Sequence, residues 1–348
     1  MRVAESELRA LIAKKLERAG LTPEHADIVA DVLAYADARG IHSHGAMRTE
    51  YYVERIVKGG MNTKPDFRLE RTGPSSGIFH GDNASGHVAA SAAMREAIAM
   101  AGESGIAVVG VRKMAHSGAL AYFTEQAASA GFIAISMCQS DPMAVPFGGA
   151  DVYYGTNPIA FAAPGANDEM ISFDMATTVQ AWGNILDAQS RNGEIPDDWA
   201  VDEKGSPTTD PNAVTALVPV GGPKGYGLAM MVDVLAGILL GLPFGKHVSS
   251  MYRSMHSGRD LGQLHIVIDP GVFTDPKEFG RNISRTRREL NDITPAPGFE
   301  RVLAPGQDKE DIRARYEVDG IDLADSVYDY LVSDEVNRDT YEEDAPAG

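Results

Sequence analysis

The sequence predicts an α/β protein in which a helical N-terminal layer, joined by C-terminal helices, packs on a central mixed-sheet α/β domain. Three observations predict it. The first 60 residues carry three successive runs of helical periodicity, each closed by glycine. Residues 71–290 alternate short β-rich apolar runs with helical ones and show no internal repeat, the pattern of a layered α/β domain. Beyond residue 273 helical periodicity returns. The expected division is therefore 1–70 with 291–348 as a helical domain and 71–290 as the domain that binds small molecules, in a chain of 348 residues.

Leu8, Leu11, Ile12 and Leu16 share one helical face over residues 6–19, and Gly20 stops that helix. Thr22 and Pro23 read as N-cap and first-turn proline of a second helix whose stripe is Val29, Val32, Leu33 and Ala36. Gly40 ends it. A third helix runs from Met47 to Val57 and stops at Gly59-Gly60. Strands are expected at Ile78–His80, Ile106–Val111, Phe132–Met137, Ile159–Ala162, Ile171–Asp174 and Leu264–Ile268, with helices over 87–102, 118–130 and 225–241. Glycine and proline cluster at 142–165 and 193–224, which read as loops. The apolar stretch Tyr226–Phe244 contains Asp233 and several glycines, too short and too polar for a membrane span, and reads as a buried helix. Phe279, Ile283 and Leu290 form one late stripe and Tyr328, Leu331 and Val332 another, with Pro305-Gly306-Gln307-Asp308 between them. The acidic tail Asp334–Gly348 reads as loosely ordered or packed on a partner.

The formal net charge of -18 repels phosphate backbones and anionic membranes, which argues against nucleic-acid and lipid partners. Cys138 is the one cysteine, so no intramolecular disulfide can form and a reducing cytoplasm fits best. The start, Met1-Arg2-Val3-Ala4-Glu5, has no secretory apolar core.

Chemistry concentrates at loops that follow strands, where open α/β sheets hold their ligands. Met114-Ala115-His116-Ser117-Gly118 follows one strand and Cys138-Gln139-Ser140-Asp141-Pro142 the next. By spacing alone, His116 and Asp141 are as much a proton-transfer pair as a helix-capping histidine beside a turn aspartate. His42-Ser43-His44 sits between the second and third helices, with Arg48 and Tyr52 one turn apart on a common face. Arg48 offers a planar fork for a carboxylate, with His44 and Tyr52 to hydrogen-bond beside it, or it is a surface arginine next to an amphipathic tyrosine. His-x-His also raises a metal, which the lack of a second cluster at ligand spacing argues against. Phe173-Asp174-Met175-Ala176-Thr177-Thr178 ends a strand with a carboxylate able to accept ribose hydroxyls, or to cap a helix. Gly221–Leu228 is a glycine-rich turn presenting Lys224 just before the apolar helix. Neither G-x-G-x-x-G nor G-x-x-x-x-G-K occurs, so a nucleotide would need another scaffold.

Ala38–Gly45, Met114–Gly118, Phe173–Thr177 and Lys224–Leu228 together resemble the type 2 malate/L-lactate dehydrogenase family, a non-Rossmann family, over nearly the whole chain. Longer runs, among them Tyr35–Gly40, Ser136–Met143, Val145–Ala150, Tyr153–Pro158 and Leu240–Gly245, favour a subgroup acting on a ureido-bearing 2-hydroxy acid. The resemblance implies a cytoplasmic homodimer, or a higher homo-oligomer, that oxidises (S)-ureidoglycolate to oxalurate with NAD in allantoin breakdown. It implies His116 as general base. It implies that Ser140, Asp174, Met175, Ala176, Lys224 and the loop Gly306, Gln307, Asp308 contact NAD. Where many relatives read Gly-Lys, this chain reads Trp182-Gly183-Asn184, so one basic contact is missing. Asp141 is then expected to orient His116, Arg48 with His44 and Tyr52 to take the substrate carboxylate, and Asp174 to favour NAD over NADP. Malate, lactate or sulfolactate is the alternative substrate, and a metal-dependent hydrolase using His42, His44, His116 and Asp174 the distant alternative.

Overall fold

The computed structural model describes residues 1–341. The chain opens with β1 (Arg2–Val3), α1 (Glu5–Ala19), α2 (Pro23–Ala38) and α3 (Thr49–Val57). The α/β part then runs β2 (Arg68–Gly73), β3 (Ser76–Ala84), α4 (Gly86–Ser104), β4 (Ile106–Met114), α5 (Ala121–Ser129), β5 (Ile133–Cys138), β6 (Ile159–Pro164) and β7 (Met170–Met175). After it come α6 (Trp182–Ser190), β8 (Ala200–Val201), β9 (Ala216–Leu217), α7 (Pro223–Ala236), β10 (Leu261–Ile268), α8 (Pro276–Asn291), α9 (Gln307–Asp319), β11 (Ile321–Asp322) and α10 (Asp325–Val332).

Seven strands form one mixed sheet in the order β2-β3-β4-β10-β5-β6-β7. β3 runs parallel to β4, and β10 lies antiparallel between β4 and β5, so β4 and β5 point the same way. β6 is antiparallel to both β5 and β7, which aligns β7 with them. The C-terminal ends of β4, β5 and β7 therefore meet at one edge. His116 follows β4 there, Ser140 and Asp141 follow β5, and Asp174 and Met175 close β7.

Two apolar cores hold the layers. Leu8, Ile12, Leu16, Val29, Leu33, Tyr52, Val53 and Ile56 pack with Ile321 and Leu331, so the two ends of the chain share one core. Val3 pairs with Ile321 across β1 and β11, which ties the ends by backbone as well. Phe79, Met94, Val109, Val111, Phe123 and Val267 fill the second core between the sheet and α4 and α5. Each fully buried aliphatic side chain contributes about 1.5–3 kcal/mol. Local signals act as the sequence indicates at the first two helices. Gly20 takes φ +118° to stop α1, and the Thr22 hydroxyl accepts from His25 N at 3.3 Å to start α2.

Several expectations need correction. Nothing in the spacing announces β2 and α6: Arg68–Gly73 is a largely exposed edge strand with no clear alternation, and α6 buries Ile185 alone among its described side chains. The sheet begins at Arg68 and α8 ends at Asn291, so divisions at 70/71 and 290/291 fall inside elements. The stretch from Tyr226 is not a buried helix. α7 buries Gly225, Ala229, Val232, Asp233 and Ala236 on one side and exposes Met230, Met231 and Val234 on the other, followed by exposed Ile238 and Leu239. By length and mean hydropathy, Pro223–Leu240 would suffice to cross a membrane. It is held in the fold by Asp233, whose carboxylate accepts from Gln139 Nε2 at 3.2 Å and Gly245 N at 3.0 Å. The described part of the acidic tail packs on its own chain. Lys15 grips the Ser333 and Glu335 carbonyls, and Glu54 accepts from Thr340 N. Residues 342–348 lie outside the described residues.

Candidate active site

His116 sits at the sheet edge within reach of α3. Its Nδ1 lies 2.7 Å from the Tyr52 hydroxyl, and its ring stacks on His44 with centroids 5.6 Å apart. His87, from the first turn of α4, stands edge-on to Tyr52 at 4.8 Å. Three imidazoles and a phenol thus converge between the helical layer and the sheet. Ser117, next to His116, is pinned by its hydroxyl to Gln263 Oε1 at 2.8 Å on β10.

Desolvation dominates the electrostatics. Burial, with Arg48 nearby, pushes His44 down to about 4, and burial with His44 pushes His87 down to about 3. His116 is held well below its ordinary value by burial first, then by His44, His87, Arg48 and Arg259. Burial raises Tyr52 far above the usual phenol range, so it stays protonated. At neutral pH His116 is therefore a neutral imidazole. Its Nε2 has no hydrogen-bond partner among the described residues, which leaves it open to a substrate proton.

Asp141 does not orient His116. Its Oδ1 pairs with Arg259 Nη2 at 2.5 Å and its Oδ2 accepts from Met251 N. Arg259 is 1% exposed and also donates to the Ser249 carbonyl and hydroxyl. A buried guanidinium needs a carboxylate more than a neutral imidazole does, so the ion pair takes Asp141 and Tyr52 takes the histidine. Tyr52 is correspondingly the side-chain partner of His116. Arg48 lies beside this cluster, donating from Nε to Ser43 O at 2.7 Å and from Nη1 to Tyr252 OH at 2.5 Å. Tyr252, Arg259, His87 and Gln263 had no signal at short spacing. They enter only because distant segments fold over the same edge.

The second half of the site is a floor of backbone and hydroxyl groups. Ser140 Oγ lies 3.1 Å from Thr156 Oγ1, Thr177 N donates to Thr156 O at 2.8 Å, and Val220 N donates to Thr177 O at 2.9 Å. Ser140, the Asp174-Met175-Ala176 strand end and the α7 start carrying Lys224 are brought together by this chain of contacts. Lys224 lies within the first turn of α7, where a loop lysine was expected, and it is exposed. A Cβ at Gly221 or Gly227 beside it would meet nothing within 4 Å, so the lysine borders open space. Asp174 caps α5, accepting from Ala121 N at 3.0 Å through Oδ2, and burial raises it to about 6. Gly306, at φ +92°, lies so close to β7 that a Cβ would fall 2.5 Å from Ser172 O. Gln307 begins α9 where a loop was expected, and its amide is taken by Asn291 and Ala304 N. Asp308 pairs with its neighbour Lys309 at 3.1 Å. Asn184 is exposed on α6, whose start at Gly183 faces Ser43.

A strand-end carboxylate, an exposed ammonium beside open space, hydroxyls and small residues make a donor set that suits the ribose and diphosphate of a dinucleotide. The geometry gives no support to the hydrolase alternative. His42 Nδ1 faces Asp37 at 2.7 Å while His44 faces Ser43, and no group of three or more His, Cys, Asp or Glu among the described residues could hold a metal ion.

Residues 3–332 match a family model described as malate/L-lactate dehydrogenase. The chain is 62% identical to the NAD(+) ureidoglycolate dehydrogenase of Escherichia coli K12, over 99% of each chain. It is 36% identical to the malate/(S)-sulfolactate dehydrogenase of Methanothermus fervidus over 97% of this chain and 98% of that one. Among solved structures, the sulfolactate dehydrogenase of Methanocaldococcus jannaschii superimposes with a TM-score of 0.89 at 35% identity, covering 95% of each chain.

Proposed function

The chain belongs to the malate/L-lactate dehydrogenase family, and from its site we propose that it oxidises (S)-ureidoglycolate to oxalurate with NAD, in allantoin breakdown, with His116 as general base. The observation that carries this reading is a neutral, desolvated His116 held by Tyr52 in a chain so close to an NAD(+) ureidoglycolate dehydrogenase.

NAD, when bound, supplies the hydride acceptor. The chain's own groups handle the proton and the orientation. His116 Nε2 takes the proton of the substrate hydroxyl. In the tautomer that leaves Nε2 free, Nδ1–H donates to the Tyr52 hydroxyl oxygen 2.7 Å away. Arg48 keeps donors on Nη2 for the substrate carboxylate, its Nε and one N–H of Nη1 being engaged already. His44 stacks beside the base. Ser140, Asp174, Met175, Ala176, Lys224 and the Gly306-Gln307-Asp308 turn border the cofactor, with Asp174 disfavouring a 2′-phosphate by charge.

The relatives that act on malate and sulfolactate share this chemistry, so substrate choice is the point to test. Purified protein is given ureidoglycolate, malate, lactate and sulfolactate in turn with NAD and with NADP, and reduced cofactor is followed by absorbance. Highest kcat/KM is expected for ureidoglycolate with NAD, and faster turnover of malate would replace the substrate reading. Buried Cys138 suits a reducing compartment such as the cytoplasm. The apolar face of α7, with Leu239 62% exposed beyond its end, is covered by a second copy in a homodimer. Elution of the native protein as a monomer in size-exclusion chromatography would remove that reading.

A further inference from the structure

Arg48 owes part of its orientation to a segment far along the chain. Its Nη1 donates to the Tyr252 hydroxyl at 2.5 Å, and the Tyr252 ring is 40% exposed on a loop. A half-exposed ring can hold a guanidinium only if something limits its rotation. Tyr341 supplies that limit, stacking on Tyr252 with centroids 5.5 Å apart at 21°. Tyr341 also meets Tyr51 edge-on at 5.7 Å, so its ring is wedged between α3 and the 252 loop.

The segment carrying Tyr341 is anchored. Glu54, fully buried on α3, accepts from Thr340 N at 2.8 Å and Tyr341 N at 3.1 Å. Lys58 compensates the carboxylate at 2.8 Å and donates to Tyr341 O at 3.0 Å. Upstream, Lys15 holds the Ser333 and Glu335 carbonyls at 2.9 and 2.7 Å. The other side of the 252 loop is fixed by Arg55, which donates to Ser257 O at 2.6 Å and Met251 O at 3.2 Å. A buried carboxylate spent on two backbone N–H groups at the end of a chain marks a contact that the fold is built to keep.

We propose that residues 333–341 form a strap that positions the substrate-binding arginine through the stacked pair Tyr341–Tyr252. Tyr341 and Tyr252 are positioning residues in this scheme, and the strap acts on the hydroxy acid and not on NAD. The inference rests on the reading that Arg48 takes the substrate carboxylate.

The test is steady-state kinetics with ureidoglycolate varied at saturating NAD, and then the reverse. Tyr252→Phe is expected to raise the KM for the hydroxy acid about tenfold, as for a lost hydrogen bond to a charged group. Tyr341→Ala is expected to raise it about fivefold, as for a lost aromatic pair. In both, kcat and the KM for NAD stay within about twofold. Tyr341→Phe restores what Tyr341→Ala loses, because the ring and not its hydroxyl makes the stack. In a Tyr252→Phe background Tyr341→Ala adds nothing further. An unchanged hydroxy-acid KM in Tyr341→Ala, an equal rise in the KM for NAD, or a full effect in the double variant would overturn the proposal. Arg48→Lys is measured alongside. If it too leaves the hydroxy-acid KM unchanged, the carboxylate reading of Arg48 has failed. If it raises that KM while Tyr341→Ala does not, only the strap has failed.

Discussion

Tyr52→Phe separates the arrangement seen here from a conventional histidine–carboxylate pair. The substitution keeps the ring, and with it the edge contact to His87 at 4.8 Å, and deletes the hydroxyl 2.7 Å from His116 Nδ1. A buried N–H left without an acceptor costs about 1–3 kcal/mol. That cost falls on the tautomer whose Nε2 is free to act as base, so it enters the barrier to proton transfer. At about 1.4 kcal/mol per decade, kcat should fall by about 10- to 100-fold, with little change in the KM for either substrate. The imidazolium loses the same acceptor, so removing the hydroxyl can only push the titration of His116 further below the neutral range. The loss therefore persists when the pH is raised. The assay is NADH formation at saturating substrates from pH 6 to pH 9 (about one point per half unit), with melting temperature as the check on folding. A kcat within about twofold of the native value, or recovery of activity above about pH 8, would refute the claim that the Tyr52 hydroxyl supports the tautomer of His116 whose Nε2 is free.

Two further outcomes follow from the same geometry. Asp141→Asn leaves Arg259, 1% exposed, without its counter-charge, so denaturant unfolding should report a loss of about 3 kcal/mol while the pH profile of kcat keeps its shape; native stability with a collapsed kcat would return Asp141 to the role of imidazole partner. Stability should also fall on acidification. His44, His87, His116 and His265 all have folded-state pKa values below 6.5, with His44 and His265 at about 4 and His87 at about 3. Above about pH 6.5 both folded and unfolded imidazoles are neutral and the full stability is present. Below it the unfolded chain takes up protons that the native pockets refuse, at about 1.4 kcal/mol per pH unit for each histidine. Asp174, raised to about 6, Asp37 and Asp233, also raised by burial, and His42, raised by its hydrogen bond to Asp37, work the other way, because the native state protonates them first. The net loss between pH 6.5 and pH 5 should be on the order of 3 kcal/mol. Denaturant midpoints that stay flat across that range would show that the imidazoles are not desolvated as described.

What the sequence determined by itself is whatever a short stretch of backbone can encode. Leu8, Ile12 and Leu16 repeat at helical spacing, so the face that α1 buries was readable, and Thr22-Pro23 marked the start of α2 because capping needs only adjacent residues. Apolar runs placed β4, β5 and β7, and the polar loops behind them located His116, Ser140 and Asp174 at strand ends. Those stretches, with the motif around Lys224, carried the family resemblance. Exposed β2 and α6 carry no strong one-sided pattern that would announce them, and hydropathy over α7 counts apolar residues without saying which face will be covered.

Only the tertiary structure decided the partners. Tyr52 and His116 stand 64 positions apart, Asp141 and Arg259 118, and Arg48 and Tyr252 204. Sequence adjacency favoured Asp141 for His116, since the two follow strands consecutive along the chain, which β10 separates in the sheet. The physical reason it goes elsewhere is desolvation: a buried guanidinium without a carboxylate is far costlier than a buried neutral imidazole resting on a phenol, and no local pattern says where that guanidinium will be folded in.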